Sequence, residues 1–389
     1  MPYGYLLTVA IAAVHTALAL APVRRPRWAA VVSFHLGLVV NETPVFVLCW
    51  LLAATLPAWA QEDLDTPASW AGLALAVLTA IGLAVIARRA LDARPALERA
   101  LRRDLGAGRP GAVDALLAAA RRRAPSYLRT LLFPFRVRRA DVERIADIAY
   151  GDAGVRNRLD VYRRRSGTSG GPILVYAHGG GYFSGRKNRE ARPLLYRLAS
   201  RGWVCISANY RLRPRAGFDE HLADFKKAIA WAREHAPDYG GDPDALFAAG
   251  SSAGGHLAAL AALTPNDPAF QPGFEDADTS LTAAVSLYGY YGRYYRRPGE
   301  SERPTSPADH VRPDAPPFFA VHGDQDSLVP VEDARAFVAA LRRASANPVV
   351  YAELPRAQHA FDLFRSPRFE AVIDAVEVFA ARVLARERT

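Results

Sequence analysis

The chain has 389 residues, enough for one large α/β domain and a smaller additional unit. Its two cysteines exclude a disulfide framework and a cysteine-built zinc site, and because Cys49 and Cys205 both fall in apolar segments, we expect two buried thiols. Half of the residues are hydrophobic, residues 1–90 are the most apolar part, and the formal net charge is +10.

The positive charge is concentrated in one segment. Residues 88–139 contain 14 arginines and 4 acidic residues, so that their net charge of +10 equals that of the whole chain. Such a segment can bind nucleic acid or anionic lipid headgroups, or simply form solvated helix faces. Because it follows apolar segments and carries no nucleic-acid-binding motif, we expect membrane lipids as its partner and no nucleic acid.

Three amino-terminal segments are apolar and long enough to cross a hydrocarbon core of about 30 Å. They are residues 3–21, 28–59 and 70–87. Tryptophans lie at the ends of these segments, at positions 28, 59 and 70, where interfacial anchors occur. The first segment lacks the basic region of a signal peptide, so we expect an uncleaved anchor. We predict an integral membrane protein of the cell membrane, with a bundle of about three transmembrane helices in residues 1–90.

The middle apolar segment is interrupted by Asn41, Glu42 and Pro44. Polar residues at this depth indicate either one kinked helix whose polar group faces neighbouring helices, or a re-entrant hairpin. Only His15 and His35 are visible as ionisable partners, which favours a structural role over an intramembrane functional site.

The charges between the segments predict an orientation. Basic residues follow the first and third segments, whereas acidic residues follow the second. The basic ones are Arg24, Arg25, Arg27, Arg88 and Arg89, and the acidic ones are Glu62, Asp63 and Asp65. Short arginine-rich loops remain on the cytoplasmic side, so we expect the amino terminus outside and the domain that follows the third segment in the cytoplasm.

The remaining chain divides into two parts. Residues 91–140 predict a basic amphipathic linker lying at the membrane surface. In residues 141–389, strand-like and helix-like segments alternate, which predicts an α/β fold with a mostly parallel central sheet and helices on both faces. The predicted strands are 157–164, 172–177, 203–210, 245–249, 281–288, 317–321 and 348–354, and the predicted helices are 189–201, 219–235, a helix beginning at His256, 331–345 and 368–387.

The stretch AAGSSAGGHLA, residues 248–258, follows an apolar run and precedes a helix-like one. Glycine and serine also build plain turns. The pattern G-x-S-x-G, however, is typical of a nucleophile elbow, where the serine occupies a strained strand-to-helix turn and its neighbours must be small. Ser252 is therefore the predicted nucleophile, with Gly250 and Gly254 as the small flanking residues.

A second motif is typical of an oxyanion hole. His178, Gly179, Gly180 and Gly181 follow an apolar strand, and consecutive glycines let the backbone approach a developing oxyanion. We expect the N–H groups of Gly180 and Gly181 as donors, with the N–H of Ala253 as the third. His178 and Gly179 support the motif.

A catalytic serine needs a base, and the base needs an acid to orient it. Asp326 and Asp324 follow a predicted strand; Asp326 is the predicted orienting acid, and Asp324 a turn or capping residue. His359 follows the last predicted strand and is the predicted base. Ser252, Asp326 and His359 have the chain order Ser…Asp…His of the α/β-hydrolases.

Residues from about 145 to 385 resemble the hormone-sensitive-lipase-like carboxylesterases, a group of α/β-hydrolases, and among these the membrane-anchored bacterial esterases. The resemblance rests on HGGG, SANYRLRP, GSSAGG, HGDQDSLVP and QHAF, and on an insertion at residues 265–280. It implies the α/β-hydrolase fold and hydrolysis of carboxylic esters. One departure is Ser251, because many relatives have Asp before the nucleophile.

These observations predict a membrane-anchored serine carboxylic-ester hydrolase acting on a small-molecule or lipid ester, with no metal and no organic cofactor. Two alternatives use the same fold: an acyltransferase or amidase with the same residues, and a non-catalytic ligand-binding protein, in which a triad member should be missing. Residues 286–300 are rich in tyrosine and arginine and predict part of the acyl pocket or a lid, or else a surface loop.

Overall fold

The computed structural model describes residues 3–60, 66–106, 111–124, 127–167, 169–294 and 303–387. In chain order, the helices before the sheet are α1 (Tyr3–Leu20), α2 (Arg27–Glu42), α3 (Pro44–Ala60), α4 (Pro67–Ala90), α5 (Ala93–Leu105), α6 (Ala112–Arg123) and α7 (Tyr127–Leu132). Those that alternate with strands are α8 (Arg192–Ser200), α9 (Phe218–His235), α10 (Ala253–Leu263), α11 (Val331–Ala344) and α12 (Pro367–Glu387).

One sheet forms the centre of the fold. Its strands are β1 (Val142–Ala149), β2 (Arg158–Arg164), β3 (Gly171–Ala177), β4 (Val204–Ala208), β5 (Gly241–Ser251), β6 (Ala283–Leu287), β7 (Phe318–Gly323) and β8 (Val349–Leu354). Their order is β1-β2-β4-β3-β5-β6-β7-β8. From β4 to β8 all neighbours pair parallel, whereas β2 pairs antiparallel with both β1 and β4. The predicted mostly parallel sheet is confirmed.

Helices cover both faces of the sheet. Leu174 and Tyr176 of β3 belong to one buried cluster with α5, α8 and α12, whereas Ile173 and Val175 pack with α9 and α10 on the opposite face. Side chains of a strand alternate between its faces, so a strand covered on both sides reads as a continuous apolar run. That run is the signal by which β3 is visible in the sequence.

The strand β1 is absent from the sequence-based prediction. It lies at the edge of the sheet, and the side chains of Glu143 and Arg144 are only partly buried. Edge strands commonly carry charged residues that discourage pairing with other chains, so no apolar alternation marks them. The predicted strand 245–249 is also too short, because β5 begins at Gly241 and ends at Ser251.

The amino-terminal region contains four helices where three spans are predicted. By length and composition, one helical stretch in the described residues could cross a membrane: Pro67–Leu105, which comprises α4 and α5. Helices α2 and α3 would give a second if this pair, bent by 87°, is one span. Trp28 and Trp70 are exposed. Cys49 is also exposed, so the expectation of a buried thiol is wrong for Cys49, whereas Cys205 is buried as expected. The Trp59 side chain and the acidic loop residues 62, 63 and 65 lie outside the described part.

The polar interruption of the middle segment marks the bend between α2 and α3. Glu42 is buried, pairs with Arg368 at the start of α12, and accepts hydrogen bonds from Ser366 Oγ (2.7 Å) and Asn41 Nδ2 (3.1 Å). The expectation that Glu42 has only histidine partners is wrong. Its counter-ion comes from the far end of the chain, and a buried carboxylate without that cation would be strongly destabilising.

Helices α5 and α6, in the segment predicted as a linker, pack against the sheet domain. Leu97, Leu101 and Leu105 form an apolar stripe on α5 and are buried in the same cluster as α12 and β8. Part of the positive charge is neutralised by ion pairs with buried acidic residues, since Arg94 pairs with Asp374 at 2.6 Å and Arg121 pairs with Glu98. These two helices therefore extend the hydrophobic core that the sheet begins.

Candidate active site

Ser252 occupies the sharp turn between β5 and α10. Its backbone has φ 54° and ψ −118°, a strained conformation for a residue with a side chain. A Cβ atom on Gly250 would lie 2.0 Å from the carbonyl oxygen of Gly254, and a Cβ on Gly254 would lie 2.1 Å from the carbonyl oxygen of Ala177. Both positions therefore require glycine, which is the steric condition of an elbow.

The structure brings the predicted base and acid to this serine. His359 Nε2 lies 2.8 Å from Ser252 Oγ, and His359 Nδ1 lies 2.6 Å from Asp326 Oδ2. His359 follows β8 and Asp326 follows β7, so that all three side chains meet at the carboxyl ends of parallel strands. With Nδ1 donating to the carboxylate, Nε2 is free of its proton and accepts from the serine hydroxyl.

Asp326 is fixed by its own loop. Its Oδ1 accepts hydrogen bonds from the backbone N–H groups of Leu328 and Val329, each at 2.9 Å. Burial opposes ionisation, but the charges and hydrogen bonds of His359 and His322 outweigh it and hold the pKa of Asp326 well below its ordinary value. Asp326 is therefore ionised near pH 7, and its carboxylate can accept the Nδ1–H of His359.

Asp324, the alternative acid, has a different environment. One carboxylate oxygen accepts from the backbone N–H of Arg356 at 2.6 Å, which ties the loop after β7 to the loop after β8. Burial raises the pKa of Asp324 above its ordinary value. This is a turn-stabilising contact of the kind expected from the sequence.

The predicted oxyanion loop lies against the elbow. A Cβ on Gly179 would lie 3.1 Å from Ser252 Cβ, and Gly180 and Gly181 have φ values of 107° and 60°. Such positive angles are readily adopted by glycine. Gly180, Gly181 and Ala253 all line the same cavity as Ser252.

His178 has a supporting place in this loop. Its ring is fully buried, stacks on Tyr210 with centroids 4.4 Å apart, and bonds the carbonyl oxygen of Gly179 through Nδ1 at 2.7 Å. Burial lowers the pKa of His178 to about 4, so the imidazole stays neutral near pH 7. Through its contact with Gly179, His178 helps to shape the glycine loop.

A cavity of about 340 Å³ opens over Ser252 and His359. Its floor is formed by the glycine loop and the elbow, and Tyr288 and Tyr290 contribute to its wall. Residues 295–302, which hold the rest of the predicted lid segment, lie outside the described residues. Helix α2 forms the opposite wall, through Arg27, Val31, Phe34, His35 and Leu38.

Helix α2, His322, Glu190 and Asp362 also lie at or near the site, although none of them is predicted there from the sequence. Helix α2 lies in a segment with the composition of a membrane span, yet Phe34 packs edge-on against His359, with centroids 5.9 Å apart. His322 Nε2 lies 3.3 Å from Asp326. Glu190 accepts from the N–H of Gly179, and Asp362 is buried near the elbow. His322 and Asp362 had a visible signal, since His322 begins the HGDQDSLVP motif and Asp362 directly follows QHAF.

Comparison with known proteins gives a consistent result. The BD-FAE family model matches residues 159–291. The chain is 40% identical to the probable carboxylic ester hydrolase LipM of Mycobacterium tuberculosis, covering 99% of this chain and 94% of LipM. It is 44% identical to the esterase LipQ of the same organism, over 62% of this chain and 63% of LipQ.

A solved structure has the same fold as the sheet domain. Esterase 2 of Thermogutta terrifontis, phosphorylated by paraoxon, superimposes with a TM-score of 0.50 and 29% sequence identity, covering 57% of this chain and 85% of the esterase. The match to LipM extends over the amino-terminal helices as well as the sheet domain, and the resemblance to the hormone-sensitive-lipase-like carboxylesterases is confirmed. The chain belongs to the family of carboxylic ester hydrolases with the α/β-hydrolase fold that includes LipM.

Proposed function

We propose that the chain is a membrane-anchored serine carboxylesterase in which Ser252, His359 and Asp326 form the catalytic triad. The observation that carries this proposal is the chain of two hydrogen bonds, 2.8 Å from Ser252 Oγ to His359 Nε2 and 2.6 Å from His359 Nδ1 to Asp326. A nucleophile within reach of a base that is itself oriented by a third group is the arrangement that acyl transfer requires.

The reaction has two steps. Ser252 Oγ attacks the ester carbonyl while its proton passes to His359 Nε2; the tetrahedral intermediate collapses, and His359 returns the proton to the departing alcohol. Water then attacks the acyl-serine and gives its proton to His359. His359 returns this proton to Ser252 Oγ as the second tetrahedral intermediate collapses, which releases the carboxylic acid. Asp326 keeps Nδ1 protonated and stabilises the imidazolium that forms in each step.

The oxyanion of both intermediates binds to the backbone N–H groups of Gly180, Gly181 and Ala253. Their positions around the cavity and the positive φ of the two glycines support this assignment. Each such donor contributes about 3–4 kcal/mol of transition-state stabilisation in other serine hydrolases. No metal or organic cofactor enters this mechanism.

The acyl group of the substrate binds between the glycine loop and α2. Val31, Phe34 and Leu38 present an apolar wall to the cavity. Apolar surface is buried favourably against such a wall at roughly 25 cal/mol per Å². We propose esters with an apolar acyl chain, including lipid-derived esters, as substrates.

Membrane attachment is supported by the outer surface of the amino-terminal helices. Large apolar side chains remain exposed there: Leu7, Ile11 and Val14 on α1, Leu52 and Leu56 on α3, and Val77, Leu78, Ile81 and Val85 on α4. Soluble proteins rarely expose apolar patches of this extent, whereas lipid covers them without cost. The exposed arginines of residues 88–139 would then attract anionic headgroups.

Two contacts support a cytoplasmic catalytic domain. Arg24, after α1, donates to the carbonyl oxygen of Asp324 at 3.0 Å, and Arg89, at the end of α4, donates to the carbonyl oxygen of Leu20 at 3.0 Å. Both basic helix ends therefore lie on the side of the catalytic domain. In this arrangement α1, α3 and α4 cross the bilayer, and α2 lies along the catalytic domain.

The test is covalent labelling with a fluorophosphonate probe on the full chain in detergent, together with hydrolysis of a nitrophenyl ester series of increasing chain length. Since the related esterase of Thermogutta terrifontis is phosphorylated by paraoxon, we expect Ser252 to be labelled and esters to be hydrolysed. A chain that neither labels nor hydrolyses any ester of the series would be a non-catalytic binding protein. Product formed on an added alcohol or amine acceptor, without free acid, would make it an acyltransferase.

A further inference from the structure

One buried carboxylate beside the active site has no role in the mechanism above. Asp362 is fully buried and follows His359 by three residues. Its Oδ2 accepts a hydrogen bond from Ser251 Oγ at 2.6 Å and lies 3.3 Å from Tyr176 OH, and its Oδ1 accepts from Tyr288 OH. Tyr176 also donates to Ser251 Oγ at 2.8 Å.

The three hydroxyl groups come from three different strands or strand ends. Ser251 ends β5, Tyr176 lies near the end of β3, and Tyr288 directly follows β6. Asp362 itself belongs to the segment after β8. The carboxylate therefore connects the carboxyl ends of three neighbouring strands to the segment that carries the base.

Each member of this network adjoins a part of the proposed catalytic machinery. Ser251 directly precedes the nucleophile, and Tyr176 lies two residues before His178 of the glycine loop. The ring of Tyr288 packs edge-on against the ring of His359, with centroids 4.5 Å apart. A shift of Asp362 would thus reach the nucleophile, the oxyanion loop and the base together, although it touches no reacting atom.

The carboxylate also has an energetic cost that a purely structural residue need not carry. In the described residues Asp362 accepts hydrogen bonds from the hydroxyls of Ser251 and Tyr288, and the Tyr176 hydroxyl, which donates to Ser251, lies 3.3 Å away. Burial raises the pKa of Asp362 above its ordinary value. Burying a carboxylate without a paired cation is unfavourable unless hydrogen bonds compensate. The burial of its own side chain therefore does not explain why a carboxylate occupies this position.

We propose that Asp362 is a positioning residue, which holds the nucleophile turn, the oxyanion loop and the histidine segment in register through Ser251, Tyr176 and Tyr288. This inference rests on the proposed function, since it concerns the same three catalytic residues. Misplacement of reacting groups by about 1 Å typically costs roughly 10²-fold in rate.

The test exchanges the two ends of the hydrogen bond between Ser251 and Asp362. Asp362→Asn and Asp362→Ser should lower kcat and the rate of fluorophosphonate labelling by roughly 10²-fold, with KM within about twofold, because substrate contacts are unchanged. Ser251→Asp in the Asp362→Ser background returns a carboxylate to the network from the other side. We expect this double variant to recover most of the lost kcat, while Ser251→Asp alone, with two carboxylates, does not reach wild-type kcat.

Among these variants, we expect Tyr288→Phe to destabilise the fold least. It removes one hydroxyl donor but keeps the ring against His359, and we expect kcat to fall several-fold at constant KM. Wild-type kcat in folded Asp362→Asn or Tyr288→Phe protein, or no recovery in the folded double variant, would overturn the proposal. Activity retained by Ser252→Ala would instead overturn the proposed function, whatever the result at position 362.

Discussion

Phe34 of α2 packs edge-on against His359, the proposed base, with ring centroids 5.9 Å apart. An amino-terminal segment that has the composition of a membrane span thus forms one wall of the cavity above the proposed nucleophile. The amino-terminal region therefore contributes directly to the catalytic domain, and it should influence which esters are accepted.

Phe34→Ala should shift the preferred acyl chain of nitrophenyl esters to greater length, because it removes a ring from the apolar wall of the cavity. One methylene in such a pocket changes kcat/KM by roughly tenfold or more. The matched control is Phe46→Ala, since Phe46 is half exposed on α3 and does not line the cavity. The same chain-length profile in both variants and wild type would show that α2 does not contact the acyl group.

Asp326→Asn should reduce kcat far more than Asp324→Asn. The amide cannot hold His359 in the tautomer whose Nε2 accepts the serine proton, and the corresponding loss in a serine protease is on the order of 10⁴-fold. Asp324, which bonds the backbone of Arg356, serves as the control from the same loop. Measurement of kcat on the full chain checks this. A larger loss of kcat in Asp324→Asn than in Asp326→Asn would show that Asp324 is the orienting acid.

Glu190→Gln should make the free energy of unfolding of the chain depend less on pH than it does in the wild type. Burial, followed by the negative charge of Asp362, raises the pKa of Glu190 above its ordinary value of 4.5, whereas Arg189 and the N–H of Gly179 act in the opposite direction. For a carboxyl with a raised folded-state pKa, the stabilising contribution is complete below the unfolded-state pKa and is lost as pH rises through the folded-state value. The free energy of unfolding of Glu190→Gln, relative to wild type, should therefore increase as pH rises above about 4.5.

Thermal unfolding of the detergent-solubilised chain across this pH range measures the effect. Glu332→Gln is the control, because the side chain of Glu332 is 69% exposed and its replacement should leave the pH dependence unchanged. A parallel pH dependence of wild type and Glu190→Gln would mean that Glu190 is not buried against Asp362.

The membrane orientation is tested by reporters fused after Thr389. We expect a fluorescent-protein fusion to be bright and an alkaline phosphatase fusion to be inactive, because the arginine-rich ends of α1 and α4 lie on the side of the catalytic domain. Active phosphatase with a dark fluorescent fusion would place the catalytic domain outside. Moving both reporters to the loop after α3 should reverse the two signals if that helix crosses the bilayer.

The parts of the fold that the sequence predicts are those with a local signal. The buried parallel strands read as apolar runs, and Ser252, Asp326 and His359 each follow one of them, so their proximity is a consequence of sheet topology. Their catalytic roles, like the boundaries of the domains and the number of membrane crossings, stay predictions.

Contacts between distant parts of the chain have no such signal. Glu42 looks unpaired in the sequence because Arg368, its counter-ion, is separated from it by most of the chain. Similarly, α2 has apolar residues both in the cavity lining, such as Phe34 and Leu38, and among its exposed residues, such as Val32 and Val39, so its pattern does not distinguish a cavity wall from a lipid-facing span. The edge strand β1 lacks the apolar alternation that would reveal it.

Comparison of Ser252→Ala with Ser251→Ala tests the proposed mechanism most directly. The two serines are adjacent, and only Ser252 Oγ contacts His359, whereas Ser251 Oγ contacts Asp362. Hydrolysis of a short nitrophenyl ester and fluorophosphonate labelling should be measured for both variants, with thermal unfolding to confirm that each is folded. We predict that Ser252→Ala loses labelling entirely and kcat by on the order of 10⁶-fold, while Ser251→Ala still labels and loses no more than about tenfold. Equal losses in two folded variants, or labelling that persists in Ser252→Ala, would contradict Ser252 as the nucleophile.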